Sequence, residues 1–321
     1  MKPVRLSAAA AFLQGTPETR GGVPDFEITG FAPVDTAGPS DISFWKDNVV
    51  NGGARLSKAG VLLVTPDFKG FPEGVHVLLR VEDPYHAMVC FVHEYHEPSE
   101  IFGKGTVASS ARVHPTACVE GSVGENSVVG PFCVIPRGAY IGADCNLEAH
   151  VTLYPRVRIG DRCTAQAGAV FGSRGFGYYT YRGKMLPVPH FGGVVIGDDC
   201  SFGANTVVAA GTFAPTRVGN DSHVDSFVQI AHNCALGNSV YMAAQCGLAG
   251  GTVIGDFVEM GGGVQSAGHL TVGKGARICA RAGLIKSVPS GAMVAGFPAV
   301  PVADRRRQEL ALRKLGMQFT K

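Results

Sequence analysis

The chain has 321 residues, 17% of them charged, and a formal net charge of +2 at neutral pH. So small a net charge gives no reason to expect a nucleic-acid partner, and we expect none. Because no apolar run approaches the roughly 20 residues that span a bilayer, stable insertion into a membrane is not expected either. The length suits one or two domains, with ample chain for a core.

Residues 1–97 predict a small α/β domain. Val4–Leu13 is expected to be an amphipathic helix of a cytoplasmic protein rather than a signal peptide, because its apolar part is short and no clear cleavage site follows. A second helix is predicted over Asp83–His93, since Pro84 suits the first turn of a helix. Strand-like apolar runs lie at Phe26–Phe31, Val61–Val64 and Val75–Val81. Glu97–Ser99 is the predicted linker to the next domain.

From residue 98 to 302 the sequence is dominated by a period of six. An apolar residue, usually followed by a small one, returns at every sixth position with Ser266 as the polar exception: Val218, Val224, Ile230, Leu236, Met242, Leu248, Ile254, Met260, Val272, Ile278 and Leu284. This period matches neither the 3.6 of a helix nor the 2 of a simple strand, and it predicts a mainly β fold, a β-solenoid. Each hexad then forms one short strand and a corner, so residues 18 apart stack with a rise of about 4.8 Å.

The same period begins near Val107, slips once by two residues, and is interrupted twice further on. The first interruption is an excursion loop, residues 172–194, and the second inserts four residues between Val208 and Val218. Loops expelled from a solenoid commonly build its binding face. Residues 303–321 are predicted to form a C-terminal basic helix that includes the cations Arg305, Arg306, Arg307, Arg313 and Lys314.

The nine cysteines contain no C-x-x-C pair. Six of them fall four residues after an inward apolar position, where only a small side chain fits: Cys133, Cys145, Cys163, Cys200, Cys234 and Cys246. Because cysteine is often buried as a small hydrophobe, we expect core thiols in a reducing compartment rather than metal ligands or disulfides.

A candidate site for acyl transfer centres on His232, which lies two residues after the inward Ile230 and is therefore expected at an outward corner. Asp225, seven residues earlier, is a candidate to orient its imidazole, and Gly250, one coil later, brings an N–H beside it. A base next to an N–H that can stabilise an oxyanion is the minimum for acyl transfer to an amine or hydroxyl. His269 lies on the same side two coils along. Two solvated surface histidines are the simpler alternative.

A zinc site between subunits would need three converging imidazoles. His223, His232 and His269 do not repeat at suitable spacings, so no metal ion is expected, and no cofactor either. A purely structural or interaction solenoid is a further alternative, although the interrupting loops and the separate N-terminal domain count against it.

Several motifs are specific enough to suggest a family: Val228–Asn233, Gly268–Leu270, Gly172–Gly177, Ile196–Asp199 and, less specifically, Gly296–Pro298. With them the sequence resembles the UDP-3-O-acylglucosamine N-acyltransferases of lipid A synthesis over nearly its whole length. The resemblance implies a left-handed parallel β-helix and a homotrimer with active sites between subunits. It also implies transfer of a 3-hydroxyacyl chain from acyl carrier protein to the 2-amino group of a UDP-linked glucosamine.

By this resemblance His232 is the general base, Asp225 its partner and the Gly250 N–H the oxyanion contact. His269 is expected to touch the sugar-phosphate part of the substrate, and Phe44 to stack on uracil. The remaining substrate-binding candidates are Asp47, Gln229 and Asn233.

Four positions depart from the family pattern. Val50 replaces the usual tyrosine six residues after Phe44, and Asp47 replaces an asparagine. Val208–Gly211 replaces isoleucine-aspartate-arginine-glycine, and Ser226 replaces an asparagine after Asp225. These changes predict altered nucleotide recognition with the catalytic residues kept, as in a paralogue that acts on another sugar or amine.

Two other enzyme functions stay open on this scaffold. One is an acetyl-CoA-dependent sugar-nucleotide N-acetyltransferase, and the other is a trimeric γ-type carbonic anhydrase or another metal-binding solenoid. Assays with different acyl donors separate the first from the family activity, and metal analysis tests the second.

Overall fold

The computed structural model describes residues 1–22, 25–96 and 103–319. The chain forms two compact units, Met1–Ile101 with Gly177–Pro189, and Phe102–Phe176 with His190–Lys321. The predicted linker, Glu97–Ser99, lies outside the described residues.

The larger unit is a β-solenoid whose three faces are sheets of eight, eleven and nine strands. The first sheet consists of Ser122–Val123, Tyr140–Ile141, Val157–Ile159, Val194–Ile196, Thr216–Val218, Ala235–Leu236, Val253–Ile254 and Thr271–Val272. The second consists of Arg112–Val113, Val128–Val129, Asn146–Leu147, Thr164–Ala165, Ser201–Phe202, His223–Val224, Tyr241–Met242, Glu259–Met260, Arg277–Ile278, Met293–Ala295 and the antiparallel Val300–Pro301. The third consists of Cys118–Val119, Val134–Ile135, Thr152–Leu153, Val170–Ser173, Val207–Ala209, Gln229–Ile230, Gly247–Leu248, Gln265–Ser266 and Gly283–Leu284. The mainly β solenoid predicted from the period of six is confirmed.

The strand register sets the coil length. Gln229 pairs in parallel with Gly247, and Gly247 with Gln265, so each coil takes 18 residues. Apart from the half-buried Ser266, the inward positions are buried from Val123 to Leu284, with none more than 5% exposed. Burying one such side chain contributes roughly 1.5–3 kcal/mol, so this internal ladder is the main source of the solenoid's stability.

The six cysteines predicted to fill the core are all buried, free thiols, as expected. Their sulfur atoms lie within reach of backbone carbonyls of the next coil, as Cys200 Sγ does 3.2 Å from Gly219 O. A small side chain at this position therefore both fills space and satisfies its weak donor.

One corner of the solenoid carries the candidate site. It follows the nine-stranded sheet, and three successive coils turn there through Asn233, Gly251 and His269, with φ of 61°, 71° and 57°. Glycine and asparagine adopt this left-handed conformation more readily than most residues, which explains their use at the tightest turns. His232, Gly250 and Gly268 precede these three and stack in the same way.

The smaller unit contains a five-stranded sheet in the order Thr16–Thr19, Val77–Arg80, Val61–Val64, Asp41–Phe44 and Gly30–Phe31. A separate antiparallel pair joins Val4–Arg5 to Glu27–Ile28. The helices of this unit are Leu6–Phe12, Gly52–Leu56 and Pro84–Tyr95. The α/β class is confirmed, although the strands Thr16–Thr19 and Asp41–Phe44 were not predicted.

Local chemistry explains where the two predicted helices begin. The first starts at Leu6 rather than Val4 because Val4 and Arg5 pair as a strand. The second starts at Pro84, where the Asp83 carboxylate accepts hydrogen bonds from the backbone N–H groups of Tyr85 and His86 at 2.9 and 3.0 Å. An aspartate in this position satisfies donors that the first helical turn leaves unpaired.

Part of the excursion loop is a β-hairpin, Tyr178–Tyr181 with Lys184–Pro187, which belongs to the smaller unit. His86 fixes it: its Nδ1 lies 2.8 Å from the Tyr179 hydroxyl, and its ring stacks on Tyr181 at a centroid separation of 3.6 Å. The excursion is therefore a structured element rather than an irregular loop.

The predicted C-terminal helix extends over Val302–Phe319 and is largely exposed. Neither this helix nor any other in the described residues is both long and apolar enough to cross a membrane.

Candidate active site

His232 and Gly250 lie against each other at the corner after the nine-stranded sheet. A Cβ placed on Gly250 would lie only 2.7 Å from His232 Nε2 and 2.6 Å from Cε1. Glycine at position 250 is therefore what permits the half-buried imidazole to pack directly on the next coil. Nε2 is the ring nitrogen on that side.

The backbone of Gly250 offers one group for a ligand. Its carbonyl oxygen accepts a hydrogen bond from His269 N at 3.0 Å. Across the described part of the chain, its N–H donates to no acceptor. A proton acceptor on His232 and an unused N–H thus occur together, as base-assisted attack on a carbonyl group requires.

The other ring nitrogen of His232 is held by its neighbour in sequence. Nδ1 lies 2.9 Å from Asn233 Oδ1. Asp225, the predicted partner, instead accepts a hydrogen bond from Ser226 N at 2.7 Å and lines a separate groove of about 210 Å³ with His223 and Tyr241. Within one chain, the structure brings Gly250 and Asn233 to His232 and not Asp225.

The excursion loop adds two residues to the site where it leaves and rejoins the solenoid. The His190 ring lies edge-on to the His232 ring, with centroids 4.9 Å apart. A Cβ on Gly175 would lie 2.6 Å from His232 Cβ and 2.7 Å from His190 Nε2, so only glycine fits between the two histidines. The sequence predicted the loop but did not connect either residue with His232.

The four-residue insertion adds a third contact. Thr212 donates to Asn233 Oδ1 through its backbone N–H at 3.2 Å and its hydroxyl at 2.8 Å. The preceding Ala209 and Ala210, which depart from the family pattern, are buried, and Ala210 N donates to Ser173 O. Small side chains there let the start of the excursion lie close to the insertion.

His269 occupies the same corner on the coil after Gly251. A Cβ on Gly251 would lie 2.5 Å from His269 Nδ1, so this imidazole also packs on a glycine. Two coils separate it from His232, which corresponds to about 10 Å along the solenoid axis. Its side chain is exposed, as is that of Gln229 in the strand that precedes His232.

In the smaller unit, the predicted nucleotide-binding residues follow the strand that ends at Phe44. The Phe44 ring is half-buried and packs edge-on to Tyr85, with centroids 5.3 Å apart. Asp47 is exposed and accepts a hydrogen bond from Asn51 Nδ2 at 3.2 Å. Val50 packs with Trp45 against the core, so the position where the family has a tyrosine is filled by a core side chain.

Cys234 is the nearest cysteine in sequence to the candidate base, but it is not a nucleophile. It is 1% exposed, and burial raises the pKa of its thiol to about 11. Only the thiolate is an effective nucleophile. The thiol of Cys234 is therefore not a carrier of an acyl group between donor and acceptor.

Among the described residues, no group of three or more His, Cys, Asp or Glu side chains is placed to hold a metal ion. The repeats match the models described as bacterial transferase hexapeptide over residues 120–155 and hexapeptide repeat of succinyl-transferase over residues 193–226. The fold is a hexapeptide solenoid, and at one of its corners the imidazole of His232 packs on Gly250, whose N–H is unused among the described residues. Together these features define the class: the chain is a hexapeptide-repeat acyltransferase.

Comparison with known proteins then gives the family. The model described as UDP-3-O-(3-hydroxymyristoyl) glucosamine N-acyltransferase, LpxD, matches residues 25–93. The UDP-3-O-acylglucosamine N-acyltransferase of Methylobacterium sp. (strain 4-46) is 33% identical over 98% of this chain and 94% of that protein. The protein of the same name from Wolinella succinogenes is 36% identical over 85% of this chain and 87% of its own. The chain belongs to the UDP-3-O-acylglucosamine N-acyltransferase family.

A solved structure supports the same architecture. The UDP-N-acetylglucosamine acyltransferase of Francisella novicida is 29% identical and superposes with a TM-score of 0.52, covering 61% of this chain and 69% of that one.

Proposed function

We propose that the protein transfers a 3-hydroxyacyl group from acyl carrier protein to the 2-amino group of a UDP-3-O-acylglucosamine, a step of lipid A biosynthesis. The observation that carries the proposal is the packing of His232 on Gly250 in a chain that matches N-acyltransferases of that name over nearly its whole length.

The site's geometry supports a direct transfer with three groups in named roles. His232 Nε2 accepts the proton that the substrate amine loses as its nitrogen attacks the thioester carbonyl. The Gly250 N–H donates to the oxyanion that develops on the carbonyl oxygen. When the tetrahedral intermediate collapses, the carrier thiolate leaves and takes the proton back from His232. No acyl-enzyme is formed.

Each unit carries residues that are proposed to bind the acceptor. His269, exposed two coils from His232, contacts the sugar-phosphate part, and Gln229 and Asn233, on the coil of His232, are the other candidates. Phe44 stacks on uracil. Because Val50 belongs to the core and Asp47 is negatively charged, we infer that the nucleotide is held with less stacking than an aromatic pair would give.

We further propose a homotrimer. Large apolar side chains are exposed on the solenoid where a monomer has no use for them: Phe132, Val134, Tyr140, Tyr154, Phe227, Tyr241, Val253 and Phe257. Closed cyclic symmetry is the usual way for such a surface to cover itself, and it lets Asp225 of one copy contribute to the site of another. Light scattering at micromolar concentration should give three times the 33.5 kDa chain mass, and a monomer would contradict the proposal.

A cytoplasmic location is proposed as well, and it is supported by the nine cysteines, all of them free thiols, because such a set persists in a reducing compartment. Incubation with UDP-3-O-acylglucosamine and either 3-hydroxyacyl carrier protein or acetyl-CoA tests the activity. Mass spectrometry should show the 3-hydroxyacyl product and no acetylated one. An acetylated product alone would replace the proposed donor, and no product with either donor would contradict the function.

The C-terminal helix is proposed to steer the acidic carrier protein. Arg305 is paired with Glu309, and Arg307 with Asp304, so Arg306 and Arg313 are the better choice for charge reversal. The double change to Glu should raise KM for the carrier protein by roughly tenfold and flatten its salt dependence, because electrostatic steering is lost. KM for the UDP-sugar should not change.

The double change of Lys104 and Arg112 to Glu, which reverses two exposed charges near the start of the solenoid, is the matched control. If it raises the donor KM as much as the helix variant does, the effect is one of net charge and the helix has no special role.

A further inference from the structure

We propose that Thr212 is a positioning residue that, through the Asn233 amide, holds the proton of neutral His232 on Nδ1 and leaves Nε2 free. This inference rests on the proposed role of His232 as the base. It assigns a task to the four-residue insertion, which the period of six left unexplained.

The hydrogen bonds around the Asn233 side chain are consistent with only one placement of the proton on the His232 ring. A backbone N–H can only donate, so the Asn233 side-chain atom 3.2 Å from Thr212 N must be the carbonyl oxygen rather than the amide nitrogen. That oxygen can only accept, and it also accepts from the Thr212 hydroxyl at 2.8 Å. The third partner, His232 Nδ1 at 2.9 Å, must therefore be a donor. In a neutral imidazole the second nitrogen, Nε2, then carries the lone pair.

This tautomer is the one that the reaction needs. Nε2 faces the Gly250 corner, where the amine and the oxyanion are proposed to lie. If the proton moved to Nε2, that nitrogen would be a donor and unable to act as the base. A histidine in the wrong tautomer lowers kcat by about 10⁴ in a serine protease triad. A contact that fixes the tautomer can therefore have a large effect on the rate.

Asn233 is held at two points. Thr212 of the insertion binds its side chain, while the buried Thr216, in the strand that follows the insertion, accepts a hydrogen bond from its backbone N–H at 2.9 Å through Oγ1. Asparagine also suits the left-handed φ of 61° at this corner. The side chain and the backbone of Asn233 are thus both fixed.

Three variants and two readouts test the proposal. In the wild-type trimer labelled with ¹⁵N-histidine, the side-chain signals of His232, assigned by their loss in His232→Gln, should show a protonated Nδ1 and a bare Nε2 at pH 8. Thr212→Val should raise the Nε2–H fraction and lower kcat about three- to tenfold with KM unchanged, since one of the two donors that orient the amide is lost. Thr212→Ser, which keeps the hydroxyl, should match the wild type in both.

Asn233→Asp provides a second, independent test. A carboxylate beside Nδ1 favours the imidazolium form, so the acidic limb of the kcat/KM profile should move to higher pH. A wild-type His232 with its proton on Nε2, a Thr212→Val protein with an unchanged tautomer, or an unmoved limb in Asn233→Asp would each overturn the inference. The tautomer is measured without substrate, so absence of acyl transfer with the expected tautomers would instead refute the proposed function alone.

Discussion

Replacing His232 with alanine is expected to lower kcat for acyl transfer by about 10²–10⁴, the usual contribution of a general base. The amine nucleophile cannot keep its extra proton as the carbon–nitrogen bond forms, and Nε2 is the acceptor placed against the Gly250 corner. Binding of the UDP-sugar should change little, because the acceptor is proposed to be held by other residues. Single-turnover kinetics with saturating substrates would measure the chemical step directly.

Two variants make the result specific. His114→Ala removes an exposed imidazole on an early coil and should leave kcat unaltered. His269→Asn keeps a residue that tolerates the left-handed φ of 57° and should mainly raise KM for the UDP-sugar. If His232→Ala retained more than about a tenth of the wild-type kcat, another residue would have to be the base.

The contact between His232 and Gly250 was predictable because, in a solenoid, a fixed separation in sequence places two residues one above the other. Residues 18 apart must lie on neighbouring coils, and the parallel register of Gln229 with Gly247 shows that this rule holds next to the site. No comparable rule covers Asp225. Seven residues take the chain around a corner to another face, so the stacking of residues 18 apart does not predict a contact between Asp225 and His232.

The residues that the sequence did not assign to the site reach it from outside the repeat. Gly175, His190 and Thr212 come from the excursion and the insertion, where no period relates a position in sequence to one in space. The hairpin in the excursion did carry a signal. Three tyrosines within four residues, then Arg182–Gly183, then a second extended run are typical of a β-hairpin, and its two turn residues have φ of 48° and 75°.

Val50, which departs from the family pattern, shows another limit of prediction from the sequence. Its spacing from Phe44 revealed a missing aromatic residue, but only the packing of Val50 against the core of the smaller unit shows what this side chain does. A pattern of residue types does not tell whether a side chain faces a ligand or the interior.

Gly250→Ala is expected to lower kcat by about 10² or more without unfolding the solenoid. The new methyl carbon would lie 2.7 Å from His232 Nε2, well inside the contact distance of about 3.5–4.0 Å, so the imidazole must move by roughly 1 Å. A displacement of that size at a reacting group costs on the order of 10²-fold in rate. The same methyl group would crowd the N–H that is proposed to bind the oxyanion, so kcat should fall with little change in KM.

Gly262→Ala is the matched control at an equivalent corner position. Its nearest new contact would be Ala244 O at 3.3 Å, and the residues above and below it in the stack, Ala244 and Ala280, are already alanine. This variant should fold and turn over like the wild type, which separates the effect on His232 from any general cost of a Cβ at a corner. Equal losses of kcat in the two variants would mean that the solenoid's corners, and not the packing of His232 on Gly250, limit the reaction. A crystal structure of Gly250→Ala should show the displaced ring, and an unmoved imidazole with a normal rate would contradict the proposed geometry of the site.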